Sequence, residues 1–502
     1  MSATDAPERP TDGPIAIDTG VELRPDPSRV ITRLFVAGRE DIGHGDSRAT
    51  PVLERLLQLD EASVEVAMRD VTQRFQHRHH DFDGVLAHHA AIVSSRIDDW
   101  DELSPARVLL IGAAFTHEYS IEAAALCNPS AVLHPVQDGP DDGSVSFLMS
   151  VRGIGEGHRS SIGFRTGHLA ANGEVTIDAP DPFPRTGATT RGRHHRSVFH
   201  AKLAELGDDR ENAAYVLDAL EPVFDDEDLD ERIAELKADT ATRRLTLTTV
   251  THLDALAMSS YHVTFDAATT LTERVLWPHA PVERHGMEDA RFVRFVAEDR
   301  SVTYYGTYTA FDGTSIAQHL LETTDFRTFG VSPMAGDAAV GKGLALFPRQ
   351  VGGRFVALSR CDRETNSISF SDDIRCWPAA TMLQQPSGAS DVLQLGNCGS
   401  PIETSAGWLV LTHGVGPMRT YTLSAILLDL AEPQHVIARC AEPIIMPGNG
   451  ARRDGYVPNV IYSCGGFAHG DTLVLPYGIG DQTIAVATIS LERLLGVMVR
   501  EH

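Results

Sequence analysis

Five times along this chain one plan recurs: a strand with a polar start, a short turn, then an apolar strand that ends in a polar residue before a Gly- or Asp-rich loop. The first copy starts at Asn128-Pro129-Ser130 and runs to Arg152; the second starts at Glu288-Asp289 and runs to Thr309. The third spans Gly341-Lys342-Gly343 to Arg360, the fourth Gly396-Asn397-Cys398-Gly399-Ser400 to His413, and the fifth Tyr456-Val457-Pro458-Asn459 to Tyr477. The endings Thr309, Arg360, His413 and Tyr477 lie 51, 53 and 64 residues apart, near the spacing of about 40–50 residues for propeller blades. The recurrence predicts a mainly β fold, a five-bladed β-propeller, with an all-β sandwich as the competing architecture. In a propeller equivalent strand ends converge on the axis, so Asn128, Asp289, Lys342, Arg360 and His413 are expected to gather in one funnel.

The segments outside the repeat differ in texture. Residues 1–30 are rich in Pro, Asp, Thr and Gly and read as a disordered tail. Apolar residues between Thr50 and Arg78 recur at helical spacing with a break near Asp60-Glu61, which predicts two helices, and a third follows over 84–97. Residues 31–110 are therefore expected to be an N-terminal helical region, although 107–114 read as a short apolar strand. The propeller domain is expected over 111–502, interrupted at about 191–242 by helical segments at 198–206, 212–220 and 228–238. These helical parts are candidates for covering a pocket or for joining copies of the chain into a homo-oligomer. His77, His79, His80, His88 and His89 cluster in the first of them without an acidic partner at ligand pitch, and no metal site is expected.

Composition narrows the function. With 502 residues, 42% of them hydrophobic, the chain can bury more than one core. Its 43 basic against 69 acidic residues give a formal charge of −26, which argues against nucleic-acid and anionic-membrane partners. The first thirty residues hold no apolar leader, no stretch reaches the length of a membrane span, and the six cysteines follow no paired spacing; a cytoplasmic protein with free thiols is expected. Any bound anion must be held by a local cluster of cations.

Gly286-Met287-Glu288-Asp289-Ala290-Arg291 puts two carboxylates and an arginine at the start of a strand. Alternation along a strand sends Glu288 and Asp289 to opposite faces, so one at most is expected to face the working side. The plain alternative is a pair of solvated acids. In the funnel, Lys342, Arg360 and His413, with Tyr421 nearby, form a cationic cluster suited to an anion such as phosphate. The plain alternative there is that each cation neutralises a neighbouring acid.

Several ordered motifs carry a resemblance. Gly-Met-Glu-Asp-Ala-Arg (286–291), Lys-Gly-Leu-Ala-Leu-Phe-Pro (342–348), Gly-Ser-Pro-Ile-Glu-Thr (399–404), Thr-His-Gly-Val (412–415), Leu-Leu-Asp-Leu (427–430) and Gly-Tyr-Val-Pro-Asn-Val (455–460), within a match over about 126–495, resemble glycoside hydrolase family 130. That is the family of inverting β-mannoside phosphorylases and some β-mannosidases, folded as five-bladed propellers. The resemblance implies that Asp289 is the catalytic acid, protonating the glycosidic oxygen through the 3-hydroxyl of the bound mannose. It assigns Asn128, Arg152, Arg159, Glu288, Arg291 and Asp481 to sugar binding, and Lys342, Arg360, His413 and Tyr421 to phosphate. Its partners are a β-mannoside oligosaccharide and inorganic phosphate as co-substrate, with no other cofactor.

Two departures from the family pattern stand out: Lys342 replaces an arginine and Gln394 replaces a phosphate-binding lysine. Lysine keeps the charge without the bidentate fork, whereas glutamine carries no charge. Three readings follow: a phosphorylase, a hydrolase in which Glu403 or another pocket acid activates water, and a propeller that binds glycan without turnover. An inverting hydrolase needs a second carboxylate about 6.5–9.5 Å from the acid; a phosphorylase needs one acid and a cation cluster.

Overall fold

A computed structural model describes residues 13–37, 48–137, 142–208, 211–239, 246–448 and 453–501. The chain divides into two compact units, one formed by Asp26–Ala123 with Asp181–Arg185 and the other by Met1–Pro25, Ala124–Pro180 and Thr186–His502. The fold is mainly β. Among the described residues no helix is long and apolar enough to cross a membrane.

The smaller unit is built on helices Ala49–Leu57, Glu61–Phe75 and Phe82–Val93. Asp60 breaks the first two apart because its carboxylate accepts from the Ser63 amide at 2.8 Å, satisfying a free donor of the new helix. The apolar run expected as a strand at 107–114 belongs instead to a helix, Pro105–Ala114. A short continuous apolar run fits a buried helix as well as a strand. Here Ser104 caps the start and Pro105 takes the first helical position, where its missing N–H costs nothing. This unit also reaches Ala123 rather than stopping at residue 110, because Thr116–Ser120 pairs antiparallel with Val30–Leu34.

The larger unit carries the larger sheets. The longest begins with the antiparallel strands Ala125–Leu133, Val145–Ile154 and Ser160–Leu169. A single parallel step, Gly286 opposite Ser160, joins it to a second antiparallel run of Gly286–Val296, Val302–Phe311, Ile316–Thr323 and Thr328–Pro333. A four-stranded sheet follows, from Ala345–Leu346 to Thr381–Gln384. Next come a six-stranded sheet centred on Gly407–Gly416 and Thr420–Leu428, and a five-stranded one centred on Thr472–Ile479 and Thr483–Ser490.

The disordered tail expected over 1–30 is corrected where it is described: Ala16–Leu23 is a strand paired antiparallel with Thr483–Ser490. Val21 and Leu23 pack on the core around Leu126, Phe147 and Val486. The signal is weak locally because the register shifts between Asp18 and Glu22, next to Gly20, which breaks the alternation. Residues 1–12 lie outside the described residues.

Helices Arg196–Glu205, Glu211–Leu217 and Asp226–Ala238 occupy the segments with helical spacing. A fourth, Thr246–Ala257, lies beyond the expected limit of 242 and contributes Val250, Leu253 and Leu256 to a core shared with Phe199, Leu203 and Val216. Its threonines lower helix propensity, and the apolar face it buries outweighs them.

Candidate active site

Three short polar residues at strand irregularities shape the site. In Gly286–Val296, pairing with the next strand runs through Glu288 opposite Thr309 and resumes at Arg291 opposite Thr307. Two residues, Asp289 and Ala290, thus oppose Tyr308 alone, which is a β-bulge. Asp289 sits at φ +56°, a left-handed conformation that Asp and Asn tolerate better than most residues. Asn128 repeats the device at φ +48° in the bulge between Cys127 and Ser130, and Asp481 adopts φ +48° in the turn before Thr483–Ser490.

The bulge departs from plain alternation, although of the two acids only Asp289 lines the cavity above them, in keeping with the expectation that one at most faces the working side. Both carboxylates reach one guanidinium: Arg152 Nη2 donates to Glu288 Oε1 at 2.6 Å and Nη1 to Asp289 Oδ1 at 3.1 Å. Arg152 Nε is held by Ser160 Oγ at 2.8 Å, and Asn128 Nδ2 donates to Asp289 Oδ1. Beneath them Arg291 is fully buried, donating to the carbonyls of Asp289 (2.7 Å) and Cys398 (2.8 Å) and to the Tyr462 hydroxyl (2.8 Å). Arg291 therefore holds the backbone of the bulge.

A cavity of about 700 Å³ opens above this cluster. Asn128, Arg152, Asp289 and Asp481 line one part, and Lys342, Arg360, Tyr421 and Gln394 also line it. The other expected residues stand outside its wall. Glu288 pairs with Arg152, Arg291 lies beneath, and Arg159 lies over the Trp277 ring at 5.8 Å. His413 is buried against Arg360, whose Nη1 donates to its Nε2 at 2.7 Å. Burial, together with Arg360 and Arg291, drives the His413 imidazole well below its usual range, so the ring is neutral and can accept that bond. Glu403 is not a pocket acid: it is bound to Arg349 at 2.6 and 2.9 Å on an exposed edge.

Arg360 is seated by the absence of side chains around it. A Cβ on Gly396 would fall 2.1 Å from Arg360 Cδ, and one on Gly343 would fall 3.3 Å away, so its stem passes between two backbone segments. Asn397 Nδ2 ties those segments together by donating to Gly343 O at 2.8 Å.

Sequence reasoning missed Arg363, Arg419 and Tyr462, all of which line the cavity. Arg363 and Arg419 sit on turns at φ +66° and +54°, away from the strand ends that drew attention to the others. Asp289 and Asp481 line the cavity and Glu288 lies behind them on Arg152, and the three carboxyls are shifted in different directions. Burial pushes the Asp289 carboxyl up, but Arg152, Lys342, Arg291 and the Asn128 amide outweigh it and hold the group well below the usual carboxylate range. Burial raises Glu288 despite Arg152, and raises Asp481 to about 6 despite the same arginine, with Asp289 adding to both shifts.

Asp481 gives a pH prediction. Its folded value lies above its ordinary 3.8, so between about 4 and 6 the folded protein holds a proton that the unfolded chain releases, and stability falls as pH rises through that window. Asp481→Asn removes this slope. The variant should gain stability relative to the parent as pH rises from about 4 to about 7, read from urea midpoints at each pH. A difference that stays constant with pH would show that Asp481 does not titrate there.

Among the described residues no group of three or more His, Cys, Asp or Glu side chains stands close enough to hold a metal ion. In the smaller unit His79 Nε2 pairs with Glu118 at 2.8 Å and His89 Nδ1 with Thr116 at 2.7 Å.

Comparison with known proteins gives one family. The family model for glycoside hydrolase family 130, described as beta-1,4-mannooligosaccharide phosphorylase, matches residues 255–500. A 1,2-beta-oligomannan phosphorylase from a Thermoanaerobacter species is 37% identical over 152 residues, 30% of this chain and 51% of the relative, so the match spans about half that relative's length. A beta-1,2-mannobiose phosphorylase from the same strain is 31% identical over 223 residues, 44% of this chain and 72% of the relative. The solved structure of beta-1,2-mannobiose phosphorylase from Listeria innocua with beta-1,2-mannobiose aligns with a TM-score of 0.45 at 23% identity, covering 76% of this chain and 92% of that one.

Proposed function

The chain belongs to glycoside hydrolase family 130, and we propose that it is an inverting β-mannoside phosphorylase whose five antiparallel sheet runs are the blades of a propeller. The observation that carries the reading is the pairing of Asp289 with an open anion site in one cavity. Lys342 and Arg360 line that cavity, and among the described residues neither makes an ion pair. Cations that make no direct ion pair, in a chain of charge −26, fit an anionic co-substrate.

In the proposed step a phosphate oxygen attacks the anomeric carbon opposite the leaving group, and the glycosidic C–O bond breaks. The leaving oxygen takes the proton of the mannose 3-hydroxyl, which is replaced from Asp289. The products are α-mannose 1-phosphate and the shortened acceptor. Asp289 is ionised in the open site, and Lys342 is one of the charges that keeps it so. Phosphate at Lys342 offsets that charge, so Asp289 takes up from solvent, as the anion binds, the proton that it then passes to the 3-hydroxyl oxygen. His413 acts through Arg360 by accepting a hydrogen bond from its Nη1, which fixes the guanidinium toward the anion. A cytoplasmic setting accompanies the reading, since all six cysteines are free thiols.

Hydrolysis is the second reading, and Asp481 is the observation in its favour. It lines the cavity and is raised to about 6, the range of a general base. Incubating the protein with β-1,2- and β-1,4-mannobiose, with and without inorganic phosphate, separates the two. Mannose 1-phosphate, seen by NMR only when phosphate is present, is the expected result. Free mannose released at equal rates in both arms would overturn phosphorolysis and direct attention to Asp481.

A further inference from the structure

We propose that Arg363 supplies the positive charge that Gln394 withholds, so that phosphate is held among Lys342, Arg360 and Arg363; this rests on the anion site proposed above. Both Arg363 and Gln394 line the cavity. Their segments are joined directly, because the Leu395 amide donates to the Glu364 carbonyl at 3.0 Å. The residue before Leu395 is Gln394 and the residue before Glu364 is Arg363, so the hydrogen bond brings the two positions to the same part of the wall.

The loop that presents Arg363 is tied down on both sides. The Arg363 amide donates to the Arg360 carbonyl at 3.0 Å. Asp362 Oδ1 accepts from the amides of Glu364 (3.0 Å) and Thr365 (2.9 Å), and Oδ2 from Thr365 Oγ1 at 2.6 Å. The neighbouring carboxylate is thereby engaged with the turn itself. Arg363 occupies φ +66°, uncommon for a residue with a long side chain, and among the described residues it makes no ion pair. A neutral amide at 394 can donate N–H bonds to an anion but brings no charge, whereas a guanidinium restores the charge and adds a fork matched to phosphate oxygens.

The test uses the full chain with inorganic phosphate as the probe, both as varied co-substrate and as a ligand followed by calorimetry. Arg363→Gln should raise the phosphate KM and Kd by about five- to tenfold, a larger change than in the mannoside KM. Adding Gln394→Lys to that variant should recover most of the loss, an outcome that a merely structural role of Arg363 would not produce. An unchanged phosphate Kd in Arg363→Gln, or a rise in the mannoside KM alone, would overturn the assignment. The binding arm keeps the two proposals apart: a parent that hydrolyses without phosphate but binds phosphate through Arg363 sinks phosphorolysis and leaves the assignment standing.

Discussion

Asp289→Asn is expected to lower turnover by about 10²–10⁴-fold, the usual contribution of a positioned general acid. Asparagine keeps the size of the side chain and an oxygen for Arg152 and Asn128, so the bulge and its contacts should survive. What is lost is the proton. The expected signature is a drop in kcat with mannoside affinity retained, in a variant that still folds but unfolds at a lower midpoint at neutral pH, since the charge paired with Arg152 is gone. A substrate with a good leaving group, which needs little protonation, should recover part of the rate. A variant with near-parental turnover would remove Asp289 from the chemistry. Turnover by the parent protein would exclude a purely glycan-binding role, whereas binding without any turnover in either phosphate arm would leave this mutation nothing to abolish.

The elements visible in the sequence were those that depend on local pattern. Polar residues at strand starts and ends pointed to Asn128, Asp289, Lys342 and Arg360, which line one cavity. The two bulges were not visible, since a bulge is defined by the partner strand and the segment around Glu288 and Asp289 reads as ordinary alternation. One signal was available: Asn128, Asp289 and Asp481 are all short polar residues of the kind that enters left-handed backbone, at positions already singled out. Once Asp289 is bulged, strict alternation no longer separates it from Glu288, and a single arginine can bind both.

Depth was the other quantity that sequence did not carry. Arg291 and His413 share residue types with ligand-binding groups, yet both are buried and serve other residues, the first holding the Asp289 carbonyl and the second accepting from Arg360. Nothing in a one-dimensional pattern separates an arginine that faces a ligand from one a layer below it. The tail strand and the helix at Thr246–Ala257 were hidden for a related reason. Their stabilising contacts come from residues distant in the chain, Val486 for the former and Phe199 for the latter, and these outweigh poor local propensity.

Arg152→Met should destabilise the fold by about 3–5 kcal/mol at neutral pH, because it strands two buried carboxylates without their shared cation. The side chains of Glu288 and Asp289 are only 14% and 6% exposed, so water cannot replace the guanidinium. Methionine fills the volume, which limits any cavity contribution and isolates the electrostatic loss. The sign of the pH dependence follows from Asp289. Its folded value is depressed, so its pairing stabilises the parent above the ordinary carboxylate range and that stabilisation is lost as pH falls. Without Arg152 both acids take up protons more readily, and the deficit of the variant should shrink toward acid pH. Adding Glu288→Gln should recover part of the loss at neutral pH, since one of the two uncompensated charges is then gone. Urea unfolding of the parent, the single variant and the double variant at two pH values would measure all three effects. A deficit below about 1 kcal/mol, or one independent of pH, would mean that Lys342 and Arg291 already neutralise the pair and that Arg152 serves the bound sugar alone.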